Sequence, residues 1–138
     1  RFAVSPDRQK VAFSGIREGR GELMVMPVGG GEPTVVAVSG QSERIGQNPA
    51  EVQWSPNGRF LYFLDADGRK LLRVPEGGGE PELLDWFADL RARPWFRFQP
   101  GGSRVALMCV EGDGGGEVWV MEDFLPELEE TQGERRTP

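Results

Sequence analysis

The sequence predicts an all-β protein assembled from three copies of one short, four-stranded antiparallel unit. Three observations lead there. A turn motif recurs between apolar runs, as Val4-Ser5-Pro6-Asp7-Arg8, Trp54-Ser55-Pro56-Asn57-Gly58 and Phe98-Gln99-Pro100-Gly101-Gly102. Ser5 and Ser55 are 50 residues apart and Gln99 follows 44 residues after Ser55, the spacing of a supersecondary repeat. Gly-Gly-Gly-Glu-Pro follows the motif in each of the first two copies, at 29–33 and 77–81. Finally, the 20 Gly and 11 Pro of the 138 residues fall between short apolar blocks, which implies many turns and many short strands.

The elements follow in order. In the first unit Arg1-Phe2-Ala3-Val4 has strand pattern, and the Ser5-Pro6 turn leads into the strand Val11-Ala12-Phe13. Gly15 to Gly21 reads as a loop, because glycine and charge cluster there. Glu22-Leu23-Met24-Val25-Met26-Pro27 is the next strand, and Thr34 to Val38 follows the triple-glycine turn. The second unit repeats this with Glu51 to Trp54, Leu61 to Leu64, the tight turn Asp65-Ala66-Asp67-Gly68, Leu71 to Pro75, and Glu82-Leu83-Leu84. The third gives Trp95 to Phe98, Val105 to Val110, the loop Glu111 to Gly116, and Glu117 to Met121. The units therefore occupy 1–40, 51–84 and 95–126. Gln41 to Ala50 and Asp85 to Arg93 connect them, and 127–138 is a polar, acidic tail.

Leu61 and Phe63 alternate with Tyr62 and Leu64, so both faces of the middle unit are apolar. A sheet packed between two neighbours needs that, whereas a sheet with one wet face would alternate polar and apolar residues. Four short antiparallel strands in about 40–45 residues is the size of a propeller blade.

The pattern apolar-Ser-Pro-Asp/Asn-Gly, then Leu/Ile-x-Val-Met, then Gly-Gly-x-Pro resembles the TolB-like, WD-related β-propeller repeat, over residues 2 to 125. The resemblance implies three four-stranded blades of a β-propeller, either a partial propeller or half of an assembled ring. The same repeat builds the propellers of prolyl oligopeptidase-type enzymes, whose catalytic domain is separate. Arg8 stands where the turn glycine is expected, and the third copy lacks the Ser and Asp. Three blades are fewer than such a ring needs, and an open wedge would expose the faces of its two end blades. The chain therefore reads as the C-terminal part of a longer bacterial protein, periplasmic or otherwise extracytoplasmic by analogy. The lack of an initiating Met agrees with that. Two copies forming a six-blade homodimer is the alternative.

The composition offers little chemistry. With no His, the chain cannot build a Ser-His-Asp, Cys-His or His-metal centre by itself, and it has no Gly-x-Ser-x-Gly elbow. No enzyme activity, cofactor or metal is expected. The triple-glycine runs are not followed by Gly-Lys-Ser/Thr and read as hairpin turns. Asp65-Ala66-Asp67-Gly68 has its glycine too early for a calcium loop. Cys109, inside an apolar run, reads as a small buried hydrophobe. A net charge of −6 without a basic run disfavours nucleic acid, and no apolar run is long enough for a membrane helix. What remains is recognition of a protein partner or ligand, where the copies differ. Candidate surface residues are Arg17, Glu18, Arg20, Arg44, Trp86, Arg91, Glu111 and Asp113. Of the four Trp, inter-blade packing is expected to use Trp54, Trp95 and Trp119, which leaves Trp86 for a partner.

Overall fold

The computed structural model describes residues 2–38, 52–65, 70–84, 95–100, 103–110 and 116–122. These residues hold eleven strands in three antiparallel sheets and no helix. The first sheet is β1 (Phe2–Val4), β2 (Lys10–Arg17), β3 (Arg20–Pro27) and β4 (Thr34–Val38), in that spatial order. The second is β5 (Val52–Trp54), β6 (Phe60–Leu64), β7 (Leu71–Pro75) and β8 (Glu82–Leu83). The third comprises β9 (Trp95–Phe98), β10 (Arg104–Val110) and β11 (Gly116–Glu122). Each sheet is a simple meander, as expected from short strands joined by tight turns.

Two apolar layers hold the sheets together. Ala12, Leu23, Val25, Val36 and Ala37 of the first sheet pack on Val52, Trp54, Leu61, Phe63, Leu72 and Val74 of the second. The opposite face of the second sheet, with Tyr62, Leu64 and Leu71, packs on Phe96, Val105 and Leu107 of the third. The alternation along β6 therefore divides as its sequence predicts, Leu61 and Phe63 to one neighbour and Tyr62 and Leu64 to the other. Val36 is the extra residue of a bulge, because Leu23 pairs with Ala37 and Met24 with Val35. Edge-to-face contacts of Phe98 with Tyr62, 4.9 Å between centroids, and with Phe96 lock the second layer.

The motif copies form the same turn twice. Ser5 Oγ accepts the Lys10 N–H at 2.9 Å and donates to Asp7, whose carboxylate accepts the Gln9 N–H. Ser55 Oγ accepts the Phe60 N–H at 3.0 Å and donates to Asn57 Oδ1, which accepts the Arg59 N–H. Both serines are buried. Gly58 has a φ of 73° and Arg8, its counterpart, a φ of 60°, so the missing glycine leaves a left-handed arginine. Among the described residues of the third copy the backbone bond recurs, Gln99 N–H to Arg104 O at 2.9 Å.

Two expectations need correction. The Gly15 to Gly21 stretch is not a loop. β2 and β3 run on to Arg17 and Arg20 and close through the two-residue turn Glu18-Gly19, with φ of 52° and 77°. Positive φ at both central residues matches the right-handed strand twist, so a hairpin forms where charge and glycine suggested irregular chain. Gly15 is a strand residue: a Cβ there would stand 3.0 Å from the Met24 methyl, so its absence makes room for that side chain. Trp119 is not used up in packing between sheets. It is 49% exposed, because β11 is the outermost strand of its sheet among the described residues, and its Nε1–H donates to Glu117. The third sheet has three strands among the described residues, and the residues after Glu122 lie outside them, so the expected fourth strand is not tested. The Trp95 and Cys109 side chains, and the tail from residue 123, lie outside the described residues.

Candidate functional site

In a meander, turns alternate between the two ends of the sheet, and here the ends differ in kind. One end carries the turns that recur. The Ser5 and Ser55 turns lie there beside the triple-glycine turns, tied by Val28 N–H to Gln9 O and Glu76 N–H to Arg59 O. This end also joins the first two sheets. Pro6 lies against Gly58, and Lys10 Nζ meets Glu76 Oε2 at 2.7 Å. Both partners of that ion pair are two-fifths exposed, so it stabilises by at most about 1 kcal/mol. Glycine is required in the triple-glycine turns, where Gly30, Gly31, Gly78 and Gly79 all have positive φ. They join strand to strand, with Gly30 and Gly78 donating to Pro27 O and Pro75 O, and neither turn opens a helix.

The other end carries the parts in which the copies differ. Arg17 and Arg20 face each other across the last rung of the β2–β3 hairpin, with Glu18 in the turn, and all three are exposed. Beside them Ile16 is also exposed. The tip thus offers two guanidinium groups, one carboxylate and an apolar side chain on a stiff two-stranded support. Such a group suits charge-assisted hydrogen bonds to a partner, but it supplies no base, nucleophile or closed ligand set. Arg44, Trp86, Arg91, Glu111 and Asp113 lie outside the described residues. The strand ends that flank their segments, Val38 and Val52, Leu83 and Trp95, Val110 and Gly116, belong to this end of the meanders.

At the same end, Asp65 is engaged with Lys70. Its N–H donates to Lys70 O and its carboxylate accepts the Lys70 N–H, both at 2.9 Å. No group of three or more His, Cys, Asp or Glu able to hold a metal occurs among the described residues. Trp54 is buried, as expected of an inter-sheet residue, and its Nε1–H donates to Ala3 O of the first sheet at 3.0 Å. That cross-sheet bond was not visible in the sequence, since nothing local distinguishes an indole with a partner from one without.

A second kind of surface lies on the outward faces of the end sheets. Across the first sheet Phe2, Phe13, Met24 and Val35 stand opposite one another, with Val4, Val11 and Met26 in the next row. Phe2 is 72% exposed. Glu22 shares this face, and one of its carboxylate oxygens is buried with no hydrogen-bond partner among the described residues. On the third sheet Met108, Val118 and Val120 are exposed, Val118 at 67% and Val120 at 61%.

No protein-family model matches the chain, and no curated protein does. Among solved structures it is similar in fold to a protein from Agrobacterium tumefaciens described as a TolB, with a TM-score of 0.64 and 22% identity over 87% of this chain. It is also similar to TolB from Acinetobacter baumannii, with a TM-score of 0.59 and 15% identity over 88% of this chain. TolB is a β-propeller, and the likeness is one of fold. The chain spans 44% of the first structure and 29% of the second.

Proposed function

We propose that the chain is a non-enzymatic β-propeller module, each sheet a blade, that recognises a protein partner or ligand through the rim carrying the β2–β3 hairpin tip. The observation that carries this is the difference between the two ends. The end with recurring turns is occupied by its own hydrogen bonds, whereas the other presents side chains that differ from copy to copy on rigid strands. The TolB-like fold supports the propeller reading. Solved neighbours much longer than this chain support a longer bacterial polypeptide as the source of further blades, in an extracytoplasmic compartment. Within this chain, the lack of His leaves no triad or imidazole-metal chemistry.

The test is site-specific photo-crosslinking in a bacterial extract, with a photoreactive residue at Arg17 or Arg20 and controls at Asp7 and Arg59 on the opposite rim. The expected result is a discrete partner band from the hairpin tip and none from the controls. Equal labelling from both rims would overturn the assignment.

A further inference from the structure

We propose that the β2–β3 hairpin tip binds a carboxylate-bearing segment of a partner protein, held by Arg17 and Arg20 together. This rests on the rim assignment above and adds the chemistry of the partner. Three local choices in the tip work against the hairpin's own stability. Arg17 and Arg20 stand directly opposite each other on the last rung, and like charges so placed repel. Glu18 takes the first central turn position at a φ of 52°, where Asn, Asp or Gly is the unstrained choice. Ile16, beside them, is 62% exposed. Among the described residues no side-chain hydrogen bond or ion pair relieves Arg17 or Arg20. Local rules broken together in one short stretch point to a site that serves something other than folding.

The tip is also out of reach of neighbouring sheets. Among the described residues β1 pairs with β2 as far as Phe2–Phe13, and β4 with β3 as far as Val38–Glu22. The rungs Ile16–Gly21 and Arg17–Arg20 project beyond both flanking strands. The second sheet has no such projection, since β6 and β7 pair only one rung past β5, at Leu64–Leu71. Ile16 lies on the face of Ala12, Leu23 and Val25, which the second sheet covers, and is exposed all the same. A neighbouring sheet therefore stops short of the tip on the face where one is present. Arg17 and Arg20, on the opposite face, stay open even if a further sheet packs there at the same spacing.

The mixture of groups selects the partner. Guanidinium forks suit carboxylates, which they hold through paired N–H···O bonds. A phosphate backbone is a poorer match, because Glu18 shares the tip and a chain of net charge −6 has no basic run to extend the contact. A polypeptide supplies carboxylates for the arginines, a donor for Glu18 and an apolar side chain for Ile16 within a few residues.

The test is carbodiimide coupling, which joins an amine to a carboxylate in direct contact with loss of water. Arg17→Lys and Arg20→Lys keep the charge and supply the amine. In the bacterial extract, each is expected to gain an amide bond from position 17 or 20 to an Asp or Glu of the partner, located by mass spectrometry of the digested product. Arg17→Glu is the opposing variant. With the photoreactive residue moved to Ile16, it is expected to lower the yield of crosslinked partner at least roughly ten-fold. It should also raise the thermal midpoint by about 1–2 °C, because it sets opposite charges across the last rung, so lost binding cannot be put down to misfolding. A partner band from the tip that neither lysine couples to, or a yield indifferent to Arg17→Glu, would refute the carboxylate chemistry and leave the rim assignment standing. Coupling only to a second copy of this chain would refute it as well. The absence of any partner band from the tip would remove both.

Discussion

β6 and β11 are both strands of aromatic and aliphatic residues, yet they meet opposite fates. Leu61 to Leu64 of β6 are all buried, while Val118, Trp119 and Val120 of β11 are exposed. Residue type does not separate them. Position does, since β6 lies inside a sheet with neighbours on both faces, whereas among the described residues β11 is the outermost strand of a sheet with one. An apolar strand in a repeat protein is stabilised by the adjacent unit, so stability is concentrated where two interfaces meet and thins toward the ends.

The largest expected effect tests that contrast directly. Phe63→Ala empties a site packed on the first sheet and is expected to destabilise by about 3–5 kcal/mol. Val120→Ala, at a residue 61% exposed, should change stability by no more than about 0.5 kcal/mol. Urea midpoints with unchanged slopes would establish both. A Val120→Ala cost comparable to that of Phe63→Ala would mean the outer face is already covered within one chain.

Ser5 and Ser55 sharpen the comparison at the level of one hydroxyl. Removing Ser55 Oγ leaves the Phe60 N–H without its acceptor in the middle of the molecule, a loss of about 1–3 kcal/mol. The equivalent Ser5→Ala should cost less, because Asp7 and Gln9 of that turn are exposed and water can replace the lost bond. Equal losses from the two would break the contrast between middle and end.

The sequence made the repeat, the strand phases and the turn chemistry legible, because each is written in local pattern: a serine before proline, a glycine at left-handed φ, apolar residues at alternate positions. It failed where the outcome depends on what lies across space. Gly15 sits in a strand to clear Met24, which cannot be seen before β2 and β3 are paired. Trp119 has the pattern of a packed strand but is half exposed, on the outermost strand of its sheet among the described residues. The hairpin tip with Arg17, Glu18 and Arg20 was identified as a candidate surface, but as a loop rather than as the end of two stiff strands.

A smaller effect is expected at the left-handed position of the two turns. Gly58→Ala forces a Cβ onto a φ of 73° and should cost about 1–2 kcal/mol. Arg8 already bears that strain, so Arg8→Gly should stabilise, by only about 0.5 kcal/mol because glycine adds freedom to the unfolded chain. Thermal midpoints moving in opposite directions would confirm it, and a loss on Arg8→Gly would show that the arginine side chain outweighs its backbone.

The smallest effect is a difference in pH response between the two copies. The Ser5 hydroxyl, followed by the Gln9 N–H, holds the Asp7 carboxyl below the ordinary aspartate range, while the matching Asn57 has no proton to gain. A folded-state pKa below the unfolded one means that the charged turn contributes stability at pH values above about 4. That contribution is lost as pH falls through the folded value, when Asp7 takes up a proton. Asp7→Asn should therefore lower the urea midpoint slightly at pH 7 and hardly at all at pH 3, flattening the profile between them. Asn57→Asp should do the reverse and steepen it, because it installs in the middle sheet the titration that the end sheet already has. If Asp7→Asn leaves the slope unchanged, the carboxylate is not what the first turn depends on, and the two copies are equivalent in spite of their different residues.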